Sequence, residues 1–125
     1  MNIFERDSFE TFAGNLPHGF IVHQWGGASV AKVGSGDRAK IFAIFSDGDG
    51  DGPAISFKCS DMSFDLLKDE HGVRPAPYLA RAKWVEVEPE AALDADLLSA
   101  YIVQAHALAF QSLPKTLRIA LGPIA

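Results

Sequence analysis

At 125 residues, with 48% hydrophobic and 22% charged side chains, the chain has the composition of an ordinary folded globule. It is long enough to withdraw roughly two-thirds of its unfolded surface from water. Sixteen acids against eleven lysines and arginines leave a net charge of −5, which disfavours nonspecific adhesion to nucleic acid or anionic membrane unless a local basic patch reverses it. No apolar run approaches the roughly 20 residues that span a bilayer, Cys59 is alone and so forms no intramolecular disulfide, and the N-terminus lacks the pattern of a cleavable leader. The expectation is a single domain over 1–125, cytoplasmic and without membrane attachment.

In chain order, Phe9, Phe12 and Leu16 recur at helical spacing within Phe4–Leu16, and Gly14, Asn15 and Pro17 stop the helix they define. Four strands follow, Phe20–Trp25, Ser29–Val33, Lys40–Phe45 and Ala54–Cys59, separated by glycine-rich turns that predict an antiparallel meander. Ser60 or Asp61 then caps a helix of about three turns that carries Phe64, Leu66 and Leu67, with Gly72 as its left-handed stop. Pro75 and Pro77 exclude regular structure, Trp84–Glu88 alternates as a fifth strand, and Pro89 closes it. A long helix runs from Asp94 to Ser112, with its acids Asp94 and Asp96 at the positive end of the helix dipole. Pro114 ends it, leaving a short apolar tail over 119–125.

This order predicts an α+β two-layer sandwich, an antiparallel sheet of about five strands with helices packed on one face. Alternation assigns Ile55, Phe57, Cys59, Val85 and Val87 to the core, and Ser56, Lys58, Trp84, Glu86 and Glu88 to the open face. Trp84 is then a large aromatic exposed on that face.

The run Arg74-Pro75-Ala76-Pro77-Tyr78-Leu79-Ala80-Arg81-Ala82-Lys83-Trp84 holds three cations and two aromatics without an acid. Arg74, Arg81 and Lys83, joined by Lys58, offer contacts for phosphates while Tyr78 or Trp84 stacks on a base, the combination that single-stranded nucleic acid sites use. The competing reading packs Trp84 against Tyr78 and the Arg81 stem and leaves the charged heads solvated. Glu86 and Glu88 on the same face would repel a phosphate track.

Trp25-Gly26, Lys40-Ile41-Phe42-Ala43, Ser56-Phe57-Lys58-Cys59, Arg81-Ala82-Lys83-Trp84 and Leu113-Pro114-Lys115-Thr116-Leu117-Arg118 stand in an order and spacing that resembles the MmcQ/YjbR family. The resemblance covers nearly the whole chain. It implies a small bacterial protein with the CyaY-like fold and the DNA-binding label often attached to the family, but a fold does not carry a function without a site. The basic pair that usually precedes the tryptophan is here split, as Arg81 and Lys83 around Ala82. Some CyaY-like proteins handle iron through acidic surfaces, and that chemistry is not carried over to Glu86, Glu88 and Glu90 without a metal titration.

Other candidates are weaker. Asp47–Gly52 copies the first half of a calcium-binding loop, but Lys58 stands where a bidentate glutamate is required, so an ordinary hairpin tip is the reading. His18, His23, His71 and His106 are scattered and join no metalloprotease, P-loop or nucleophile-elbow spacing. His23 and Trp25 alternate on one strand and could line a pocket. Cys59 reads as a buried structural thiol. The expectation is a nonenzymatic protein without cofactor or metal. Its leading partner is DNA, through Lys58, Arg74, Tyr78, Arg81, Lys83 and Trp84. The alternative is a protein partner, a small ligand or a second copy of the chain on the open sheet face.

Overall fold

The computed structural model describes residues 2–47 and 52–124. Phe9 and Ala13 are the buried stripe of α1 (Arg6–Gly14). The chain then turns through β1 (Gly19–Gln24), β2 (Ala28–Val33), β3 (Lys40–Ser46) and β4 (Ala54–Lys58), each antiparallel to the one before. After α2 (Asp61–Leu67) come β5 (Val73–Pro75) and β6 (Trp84–Val87), then α3 (Ala95–Gln111) and α4 (Lys115–Leu121). The six strands form one sheet in the order β1-β2-β3-β4-β6-β5, with β6 inserted between β4 and the edge strand β5.

One face of this sheet is interior. Phe42, Phe45, Ile55, Phe57, Val85 and Val87 form a single cluster with Phe9 of α1, Phe64 and Leu67 of α2, and Leu98, Ile102 and Ala109 of α3. A bulge in β3 enlarges that face. Ala31 pairs with Ala43 but Lys32 with Ile41, so Phe42 is an extra residue, and Phe42 and Ala43 are both fully buried in the helix-side cluster. Phe42 meets the His106 ring edge-on at 5.3 Å, and Phe57 stacks with Tyr101 at 5.9 Å, which ties α3 to β3 and β4. The helices start where side chains satisfy free backbone donors: Ser60 Oγ accepts from Ser63 N at 3.1 Å, and Asp94 Oδ1 from Leu97 N at 2.7 Å.

Four sequence expectations change. The sheet has six strands, because Arg74 and Pro75 pair with Glu86 and Val85; Pro75 is tolerated there because β5 is an edge strand, where a missing N–H need cost no ladder bond. Helix α2 spans seven residues, nearer two turns than three, and ends at Lys68, short of Gly72. Residues Lys115–Leu121 form a helix, since Pro114 serves as the N-cap of a new helix as well as the stop of α3, and Leu117 and Leu121 pack on the core. Trp84 is 5% exposed, so it is not the open aromatic that alternation predicts.

Gly72 matters for another reason. Its φ is +76°, and a Cβ placed on it would lie 2.6 Å from the Ala91 Cα, where the chain leaving β6 crosses the turn into β5. Gly72→Ala is therefore expected to lower stability by about 2 kcal/mol or more, measured by urea denaturation. A midpoint equal to wild type would show that this crossing is loose.

His106 is 2% exposed and its Nε2–H donates to Pro17 O at 2.7 Å, pinning α3 to the turn before β1. Burial holds the imidazole below its ordinary 6.5, favouring the neutral form in the fold. The unfolded chain thus takes up this proton first as pH falls. The stability contributed is present above that value and lost below it. The denaturation midpoint is expected to drop between about pH 7.5 and about pH 5.5, and His106→Gln should flatten that slope.

Candidate functional site

The sheet face opposite the helices is crossed by one row of mutually paired residues: Val22, Val30, Ile44, Ser56, Glu86 and Arg74. A groove of about 400 Å³ lies over the part of this row formed by Ile44, Ser56 and Glu86. Ala28, Ile44, Ser46, Ser56 and Glu86 form its floor, the segment Ala76–Leu79 forms one wall, and Trp25 stands on the other side. The volume falls in the range of small-molecule sites, and the lining is mostly apolar with a few polar groups.

Two aromatics flank the groove with little cover. Trp25 is 63% exposed and Tyr78 is fully exposed. Both sit in the left-handed backbone region, with φ of 55° and 66°, which bulky side chains seldom adopt. Aromatic surface left in water on a strained backbone is a combination found at binding sites.

Each aromatic has its own support. Trp25 begins the tight turn from β1 to β2, where Gly26 and Gly27 also have positive φ. Arg6 of α1 fixes the base of this hairpin: Nη1 donates to Gly27 O and to Ser29 Oγ, each at 2.6 Å, and Nη2 pairs with Asp47 at 2.6 Å. Ser29, fully buried, donates to Glu10 Oε2 at 2.6 Å, and His23 Nε2 meets the same oxygen at 2.6 Å. The Ser29 hydroxyl, with His23 and the Arg6 charge, holds the Glu10 carboxyl below its usual range against the opposing effect of burial. The Arg6 guanidinium also lies 5.0 Å over the Phe45 ring. Tyr78 is carried by a loop that closes on β6, with Ala76 N donating to Trp84 O at 2.9 Å and Trp84 N to Leu79 O at 3.3 Å.

The six residues expected to bind nucleic acid do not converge. Arg74 is committed to Glu86: Nε donates to Glu86 Oε1 at 2.7 Å and Nη2 to the same oxygen. Lys83 places Nζ 5.0 Å over the Phe64 ring, toward α2. Trp84 is buried, and Lys58 pairs with it across the strands. Arg81 is exposed in a 3-10 turn and joins no ion pair among the described residues. Only Tyr78 of the six lines the groove. Packing of Trp84 against Tyr78, the competing reading, does not occur in a form that covers Tyr78.

Of the pair His23 and Trp25, only Trp25 reaches the groove, because the left-handed turn takes it out of the strand alternation while His23 joins Glu10 of α1. Burial pushes the Cys59 thiol up to about 11, which makes it a poor nucleophile. Of the acidic loop Asp47–Gly52, residues 48–51 lie outside the described residues. Among the described residues, no three His, Cys, Asp or Glu side chains come together as a metal site, and no helix is long and apolar enough to cross a membrane.

A family model, YjbR, matches residues 15–108. The chain belongs to the YjbR family. No curated protein matches it. Among solved structures, the Deinococcus radiodurans protein DR2400, which carries the domain DUF419, superimposes with a TM-score of 0.82 at 23% identity, over 96% of this chain and 90% of its own. A Pseudomonas syringae protein solved by structural genomics gives a TM-score of 0.66 at 20% identity, over 84% of this chain and 98% of its own. These likenesses establish the α+β fold of this YjbR-family protein; its chemistry has to be argued from the groove.

The contrast between the two tryptophans is directly measurable. With Trp84→Phe, the remaining Trp25 should emit at long wavelength and be quenched readily by acrylamide. With Trp25→Phe, the remaining Trp84 should emit at short wavelength and resist quenching. Equal quenching in the two variants would contradict this placement.

Proposed function

We propose that this YjbR-family protein is a nonenzymatic binding module whose site is the groove between Trp25 and Tyr78, and that its ligand is a compact molecule with a flat apolar body. The observation that carries this reading is the pair of exposed, backbone-strained aromatics on either side of an apolar floor. A flat ring laid on Ile44 between them would bury aromatic area that the fold leaves in water, and aromatic contacts add to that gain.

The nucleic-acid reading has less support. Of its cations, Arg74 is neutralised by Glu86 and Lys83 is turned to Phe64, and the stacking residue Trp84 is buried. Tyr78 and Arg81, both exposed, and the half-buried Lys58 are the remainder.

The test is a titration of isotope-labelled protein with indole and with phenol, followed by amide and indole N–H shifts, beside fluorescence anisotropy of single- and double-stranded DNA at low salt. The expected outcome is shifts centred on Trp25, Ile44, Ser56 and Leu79, weakened about tenfold in Tyr78→Ala, with no saturable DNA binding. Salt-sensitive DNA binding that is lost in Arg81→Ala, with no groove shifts from either aromatic probe, would replace this reading with the nucleic-acid one.

A further inference from the structure

We infer that the ligand of the groove is a compact organic cation, an ammonium or amidinium group on a flat apolar body, with its charge on Glu86 and its body between Trp25 and Tyr78. This rests on the groove being the binding site and specifies what it selects.

Charge is the first argument. Glu86 is the one Asp, Glu, Lys or Arg among the residues that line the groove, so the lining offers a carboxylate and no cation. An anionic ligand would face that carboxylate with no countercharge on the groove wall. The second argument is the use of the two carboxylate oxygens. Both Arg74 donors converge on Oε1, and among the described residues no donor reaches Oε2. A carboxylate accepts at both oxygens, so half of its capacity is open to an incoming N–H donor. Ser56, opposite Glu86 in the strand register, adds a hydroxyl acceptor on the same floor.

Arg74 does not close the site to a second cation. Its side chain is 61% exposed while that of Glu86 is 16% exposed, so Arg74 can move into water at little desolvation cost and Glu86 stays in the groove. The third argument is the walls. The faces of Trp and Tyr rings attract cations, and a cation that is partly desolvated between them gains more than one at an open surface.

The probes are phenethylammonium, phenethyl alcohol and hydrocinnamate, which share a ring and a short chain and differ in the charge of the end group. Affinities come from calorimetry at low salt, and the site from shifts of labelled protein. Phenethylammonium is expected to bind about tenfold more tightly than the alcohol, with hydrocinnamate weakest. Glu86→Gln should abolish the difference between ammonium and alcohol. Arg74→Gln, which leaves the carboxylate without its internal partner, should raise the affinity for phenethylammonium, and this opposite sign separates a charge effect from a loss of fold. If the alcohol binds as well as the ammonium with shifts at Trp25 and Ile44, the cation inference is overturned and the groove stands. If none of the three probes shifts groove residues up to about 10 mM, the groove and the inference fall together.

Discussion

The packing of α3 across β3 and β4 decides which side of the sheet is interior, and the properties of the other side follow from it. Phe42 against His106 and Phe57 against Tyr101 commit alternate residues of both strands to the helices. Strand geometry then sends Ser56, the neighbour of Phe57, and Ile44, which lies between the buried Ala43 and Phe45, the other way. A slip of one residue between β3 and β4 would exchange the two sets and drive Phe57 into water. The bulge at Phe42 lets β3 give two consecutive residues to the core without disturbing the pairing beyond it, so Ile44 keeps its place between Val30 and Ser56.

The groove is thus a by-product of the core, but its walls are not. One wall hangs from the Arg6, Ser29 and Glu10 network, in which a guanidinium gathers a backbone carbonyl, a buried hydroxyl and a carboxylate around the base of the first hairpin. A network of this kind is stable because its members satisfy one another; removing Ser29 would leave Arg6 and Glu10 each short of a partner. The other wall is an edge-strand excursion, held to β6 by backbone bonds where Ala76 and Leu79 meet Trp84. Trp84 is the plug under that excursion, which accounts for its burial on a face that has no helix. The two supports share no residue, so either wall can be perturbed while the other keeps its position.

Much of the architecture was legible because it rests on local patterns. Period-two alternation between glycine turns identified the meander, and helical spacing identified α1 and α3 to within a residue or two. What escaped was set by contacts distant in sequence. Strand β5 has three residues, one of them proline, and exists because β6 offers it an edge. Helix α4 was hidden because a proline after a helix reads as a stop, whereas the same residue can begin the next. Alternation correctly gave the face of Trp84 but not the loop that folds back over it, and the exposed tryptophan is instead Trp25, whose left-handed turn no spacing rule marks. The density of cations between Arg74 and Lys83 was legible too, but not its fate, since Glu86 and Phe64 lie on other elements.

That fate takes the cations of the segment away from the groove lining. Counted along the sequence, the segment around Tyr78 is basic. Counted in space, Arg74 and Glu86 form one pair of which only the carboxylate lines the groove, and Lys83 lies over an aromatic ring. The Arg74 side chain is 61% exposed, so water screens its pairing with Glu86 and the pair is easily opened from the Arg74 side. The placement of the pair is explained electrostatically. An unpaired Glu86 on an apolar floor would be costly in the empty protein, and a flexible, water-exposed arginine on the edge strand reduces that cost while remaining displaceable. On the proposed reading, this arrangement orients the carboxylate and leaves its second oxygen open to a cation that arrives between the two aromatic walls.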